Sequence, residues 1–81
     1  MNSQEKIISI AASLSNKPAS QITLESTLTG DLELDSLSLV ELVVACEDEF
    51  QIEIDMDHPD TAKARILRDL YNAVETLINP N

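Results

Sequence analysis

Three stretches of this chain repeat apolar side chains at intervals of three and four, and that spacing admits few folds. Ile7, Ile10, Ala11 and Leu14 form the first set, with Ile8 widening it. Leu39, Leu42, Val43, Cys46 and Phe50 form the second, and Leu67, Leu70, Tyr71, Val74, Leu77 and Ile78 the third. At about 100° per residue each set falls on one side of a helix. Helices with one apolar stripe apiece must bury it against each other, so the chain is expected to be all-α. Phe50 and Tyr71 are the sole aromatics and Gly30 the sole glycine, which leaves an aliphatic core that suits packed helices better than a sandwich. With 81 residues, 43% of them hydrophobic, there is material for one core, and residues 1–81 are expected to form a single domain.

The boundaries follow from local chemistry. Ser3 is a candidate cap for a first helix that ends near Ser15, where Asn16-Lys17-Pro18 interrupts it. Residues 19–34 are polar, with Ile22, Leu24, Leu28, Leu32 and Leu34 spaced too irregularly for a helix. They read as a long packed loop pinned by its leucines. The second helix spans about 36–50, and Ile52-Glu53-Ile54 reads as an extended connector without a pairing partner. Asp60 is expected to cap a short helix over 61–65, and Asn79-Pro80 to close the last long one. The expectation is a four-helix bundle with three long helices, one short helix and a long loop between helices one and two.

Where the loop meets the second helix, Gly30-Asp31-Leu32-Glu33-Leu34-Asp35-Ser36-Leu37 places two capping residues side by side. Either Asp35 or Ser36 serves as the cap, and Ser38 with Glu41 also reads as a capping box. Free N–H groups at that end favour an anion on the Ser36 hydroxyl. Away from the core stripe lie Ser36, Leu37, Val40, Glu41, Val44, Glu47 and Asp48, a face that mixes apolar side chains with carboxylates. It reads either as a docking surface or, for Val40 and Val44, as the edge of a wide stripe.

Fifteen acids against five bases give a net charge of -10, and twelve of the acids fall between Lys17 and Lys63, where there is no base. So negative a field disfavours nucleic acid and anionic membranes and favours basic partner surfaces, or else it serves solubility alone. A lone Cys46 on the core stripe and a lone His58 exclude a disulfide framework and the usual zinc site, and no Gly-rich phosphate loop exists. A calcium loop counted from Asp31 fails, because its required Gly falls on Ser36 and its terminal Glu on Leu42. No metal site is therefore expected. The start lacks a signal-peptide pattern and no apolar run reaches spanning length, so the expectation is a cytoplasmic protein, a monomer in its simplest reading.

Asp35-Ser36-Leu37, followed by Val40-Glu41-Leu42-Val43 and Glu47-Asp48-Glu49-Phe50, resembles the acyl carrier proteins. Ile22, Leu28, Asp31 and Leu32 upstream and Asp69-Leu70 downstream extend the likeness over nearly the whole chain. The resemblance implies that Ser36 is the attachment point of 4′-phosphopantetheine, transferred from coenzyme A by a phosphopantetheinyl transferase (a holo-acyl-carrier synthase). It implies that the arm's thiol carries acyl chains as thioesters, partly sheltered in the bundle, and that the protein itself is not an enzyme. Leu37, Val40, Glu41, Val44, Glu47 and Asp48 then become the docking residues for acyltransferases and ketosynthases with basic surfaces. Asp35 either holds a metal ion during modification or is only a cap. An aminoacyl or peptidyl carrier would use the same arm, and an unmodified acidic adaptor would use only the face.

Two positions depart from the family's pattern. Glu33 stands where many members have Gly, and a φ > 0 there would cost about 1–2 kcal/mol. Arg65-Ile66 replaces a Thr-containing helix start, so the last helix lacks its cap residue.

Overall fold

A computed structural model describes residues 2–79, with the backbone alone at Asp60. Among the described residues there are helices and no strands. Three long helices, α1 (Ser3–Ser15), α2 (Ser36–Phe50) and α4 (Leu67–Ile78), are joined by a single helical turn, α3 (Pro59–Ala62), and by a 3-10 turn at Ala19–Gln21. The expected Asn79-Pro80 stop lies partly outside the described residues, since Pro80 is not among them.

The stripes meet as their spacing requires. Ile7 and Ala11 of α1, Leu42, Val43 and Cys46 of α2, and Leu67, Leu70 and Val74 of α4 form one buried cluster. Leu39, Phe50 and Tyr71 pack partly buried against it. The third stripe frays at its end, where Leu77 and Ile78 stay exposed. Caps differ from expectation. Asn2, not Ser3, caps α1 by accepting from the Glu5 N–H at 2.8 Å, which frees the Ser3 hydroxyl to donate to the Glu75 carboxylate of α4. α3 begins at Pro59, before Asp60 rather than after it, and its opening residue has the fixed φ that suits a first helical position. The side chain of Asp60 lies outside the described residues.

Between the 3-10 turn and α2 the chain passes through turns at 24–25 and 28–31, and except at Gly30 its even-numbered residues are turned inward. Ile22, Leu24, Ser26, Leu28, Leu32 and Leu34 are all buried, and the odd-numbered residues among them are exposed. The spacing read as irregular is thus a period of two over 22–28 and 32–34, broken at the turn that holds Gly30. Backbone outside helix and sheet leaves N–H and C=O groups that need partners. Thr27 forms an isolated antiparallel bridge with Ile66, and the Leu28 N–H donates to the Arg65 carbonyl at 2.9 Å. The Leu24 and Ser26 carbonyls accept from Arg68 and Leu67, at 2.7 and 3.0 Å. These two donors belong to the first turn of α4, whose Ile66 cap position has no side-chain acceptor. The Asp69 carboxylate reaches back to the N–H groups of Arg65 and Ile66, at 2.9 and 3.2 Å. The missing cap residue is replaced by loop carbonyls and by one acid in the first turn.

The tip of the loop is closed by a reciprocal pair: the Thr27 N–H donates to the Asp31 carboxylate at 3.0 Å, and the Asp31 N–H donates to Thr27 Oγ1 at 2.7 Å. Gly30 sits over that hydroxyl, and a Cβ there would lie 2.6 Å from Thr27 Oγ1. Glu33 adopts φ 53°, in the left-handed region, while its carboxylate pairs with Lys17 at 3.2 Å. The position does require φ > 0, and Glu bears the strain.

Two outcomes are expected in thermal unfolding. Gly30→Ala should destabilise by about 1–3 kcal/mol, because the added methyl must displace a hydroxyl held by Asp31. Glu33→Gly should exceed Glu33→Ala in stability by about 1 kcal/mol, since both lose the Lys17 pair and only Gly relieves the backbone. Equal melting temperatures for the two Glu33 variants would show that the left-handed turn costs nothing.

Candidate functional site

At the start of α2 the capping question resolves to Asp35. Its carboxylate accepts from the Ser38 N–H at 2.8 Å, and its carbonyl accepts from the Leu39 N–H at 2.9 Å. Helical geometry therefore begins at Ser36, which puts Ser38 at the third helical position and removes the capping box read at Ser38 and Glu41. The hydrogen bond from the Ser38 N–H, joined by the Ser38 side chain, holds the Asp35 carboxyl below its ordinary range. A carboxylate with a lowered pKa stabilises while ionised, so this contribution is present at neutral pH and is lost as pH falls through the lowered value.

Asp35 thereby relieves Ser36 of capping duty. Ser36 is the first helical residue and is exposed, with Leu37 beside it 67% exposed. Both face solvent, and the first N–H groups of α2 lie at its positive pole. A bulky anionic substituent on Ser36 Oγ fits there, both in space and in charge.

The face that descends from Ser36 carries the sequence-predicted residues in unequal states. Val40 and Val44 are 43% and 48% exposed, so they do not belong to a widened core stripe. Glu41 and Asp48 are exposed alongside them. Glu47 is half-buried, and its carboxylate accepts from the Ile54 N–H at 2.8 Å, fastening the connector after α2 to the helix. The structure thus gathers Leu37, Val40, Glu41, Val44 and Asp48 on an open surface and turns Glu47 to a structural task. Met56, 41% exposed, was not singled out from sequence, because nothing in its acidic turn signals a neighbouring cavity.

That cavity, of about 150 Å³, lies between α2, α3 and α4 and is lined by Leu28, Leu39, Val43, Met56, Ala62 and Leu70 among others. Its walls are almost wholly aliphatic, which suits a hydrocarbon occupant. Cys46 is elsewhere, fully buried, and burial, with a smaller contribution from the Glu47 charge, pushes its thiol up to about 12. It is a core residue and no nucleophile. Among the described residues no group of acids, Cys and His is placed to hold a metal ion, and no helix is long and apolar enough to cross a membrane.

Fold and site together define a small acidic helical protein that presents one serine hydroxyl at a helix start, above an apolar cavity. A family profile described as the phosphopantetheine attachment site matches residues 5–60. The chain is similar to the acyl carrier protein of Acidothermus cellulolyticus, with 36% identity over 95% of this chain and 90% of the relative. It is similar to acyl carrier protein 3 of Ralstonia nicotianae, with 36% identity over 91% and 83%. The acyl carrier protein of Clostridium acetobutylicum is 37% identical over 88% and 90%. The chain belongs to the acyl carrier protein family, whose members are carriers rather than catalysts, and its prosthetic group is phosphopantetheine.

Asp35→Asn, which keeps a capping oxygen, should preserve α2 helicity while flattening the acid limb of the stability curve, whereas Asp35→Ala should lose both. Helicity by circular dichroism across pH 2–7 checks this. An acid limb unchanged in Asp35→Asn would assign it to other carboxylates.

Proposed function

We propose that Ser36 bears the 4′-phosphopantetheine arm and that the protein carries acyl thioesters for enzymes of fatty-acid, polyketide or related biosynthesis. The observation that carries this reading is an exposed hydroxyl at the first position of α2, freed from capping by Asp35. The arm supplies a terminal thiol on which acyl groups ride. This chain's own residues bind, shelter and present. Ser36 is the anchor, the positive pole at the start of α2 offsets the phosphate charge, and the aliphatic cavity takes up part of the acyl chain. No step of bond making in the cargo falls to this protein, in keeping with a carrier.

Docking is assigned to Leu37, Val40, Glu41, Val44 and Asp48, with a phosphopantetheinyl transferase, acyltransferases and ketosynthases as the partners. Exposed apolar side chains among carboxylates favour a partner with an apolar seat inside a basic rim. Glu47 contributes charge to that face but is tied to Ile54, so its replacement should disturb the fold as well as the encounter. Asp35, an exposed carboxylate beside Ser36, is the residue that would assist a divalent cation brought by the transferase. One domain with α3 as the short fourth helix, a monomeric state and a reducing cytoplasm complete the reading; the single buried Cys46 supports the last of these.

Incubation with coenzyme A and a phosphopantetheinyl transferase should add the mass of one phosphopantetheine, and Ser36→Ala should abolish the gain. No gain under conditions that modify a known carrier would leave an unmodified acidic adaptor. Glu41→Lys should slow modification at low salt by roughly tenfold, with unchanged melting, and the deficit should shrink as salt rises. A rate equal to that of the unaltered protein at low salt would remove Glu41 from the docking face.

A further inference from the structure

Few cations serve this acidic chain, and most are spoken for. Lys6 pairs with Glu49 at 3.9 Å, Lys17 with Glu33 at 3.2 Å, and Arg68 with Glu25. Arg65 forms no ion pair with a described side chain. Its backbone is nonetheless held on both sides, the N–H by Asp69 and the carbonyl by Leu28. Arg65 lines an open groove of about 360 Å³ together with Thr27, Thr29, Leu28, Leu39 and Ala64. Leu28, Leu39 and Ala64 also line the aliphatic cavity, so groove and cavity share a wall. Leu39 lies three residues after Ser36, which places the two side chains about 5–6 Å apart at Cβ on the helix surface. Groove and cavity therefore lie on the same side of Ser36, and a chain tethered there that folds back onto Leu39 has both within its path.

A cargo with a terminal carboxylate cannot follow an alkyl chain into the cavity, because an unpaired charge among aliphatic walls is far too costly. The neighbouring face of α2 repels it. The groove offers what both lack: a guanidinium, which is a fork suited to carboxylate, and two threonines. We propose that Arg65 is a specificity residue that holds the free carboxylate of a dicarboxylic half-thioester in the groove, while plain acyl chains pass into the cavity. The proposal rests on Ser36 bearing the arm.

Three forms of the full chain test it: arm alone, butyryl and succinyl, the last two loaded from their coenzyme A thioesters and sharing a four-carbon length. Mass spectrometry comes first, with the added mass located on Ser36. Succinyl should shift the NMR signals of the Arg65 side-chain N–H and the Thr27 and Thr29 amides relative to the other two forms. The shift should fade in about 1 M salt, where the Debye length is about 3 Å. Arg65→Gln should abolish the succinyl shift with unchanged melting, and Arg65→Lys should retain part of it. Equal shifts in the arm-only form would assign the anion to the arm's phosphate and overturn the proposal, as would equal shifts with butyryl or none with succinyl. Absence of loading on Ser36 would instead overturn the attachment reading, and this one with it.

Discussion

The structure depends on a short set of backbone hydrogen bonds between the loop before α2 and the start of α4. Leu24 and Ser26 give their carbonyls to Arg68 and Leu67, and Leu28 gives its N–H to Arg65. A helix start without a capping side chain and a loop without a sheet each leave polar groups unpaired, and here each satisfies the other. The same contact holds the loop against the helices, where Leu24, Leu28, Leu32 and Leu34 are buried and fill the space between them. Three helices of 12 to 15 residues would make a thin core alone, and the loop completes it.

From that brace the site follows. A fixed loop delivers Asp35 in extended geometry, φ -89° and ψ -177°, to the head of α2, where its carboxylate closes the first turn. Ser36 comes next and inherits an exposed position with no task in the fold. Division of labour between two adjacent polar residues is what leaves the Ser36 hydroxyl exposed and out of the cap. The local cost is borne at Glu33, whose left-handed backbone redirects the chain between two buried leucines, Leu32 and Leu34.

Charge acts on a longer scale. The carboxylates on α2 do not share one role: Glu47 fastens the connector, Glu49 approaches Lys6 of α1, and Glu41 and Asp48 remain in solvent. Solvent-facing carboxylates shape the field around the helix, whereas Glu47 acts at contact range. The exposed Leu37, Val40 and Val44 give that field an apolar centre.

Much of this was legible in the residues. Helical stripes place three helices because burial follows a period of 3.6, and Asp35-Ser36-Leu37 marks the head of the second because capping is local chemistry. The likeness to acyl carrier proteins rests on the same residues. Ser3 reads as the cap of α1 where Asn2 is the one, and Asp35, Ser36 and Ser38 all read as caps of α2, since neighbouring capping residues differ little until the entering chain's direction is known. The period of two in the loop was overlooked because Ser26 interrupts its apolar run, although Ser26 is buried and its hydroxyl accepts from the Thr23 N–H. What the sequence by itself determined is the set of helices and the serine at the head of α2, because both depend on residues within a turn or two of each other. Only the tertiary structure decided which carboxylates stay free, how α4 is capped and where the aliphatic cavity lies, because each depends on groups from distant parts of the chain meeting in space.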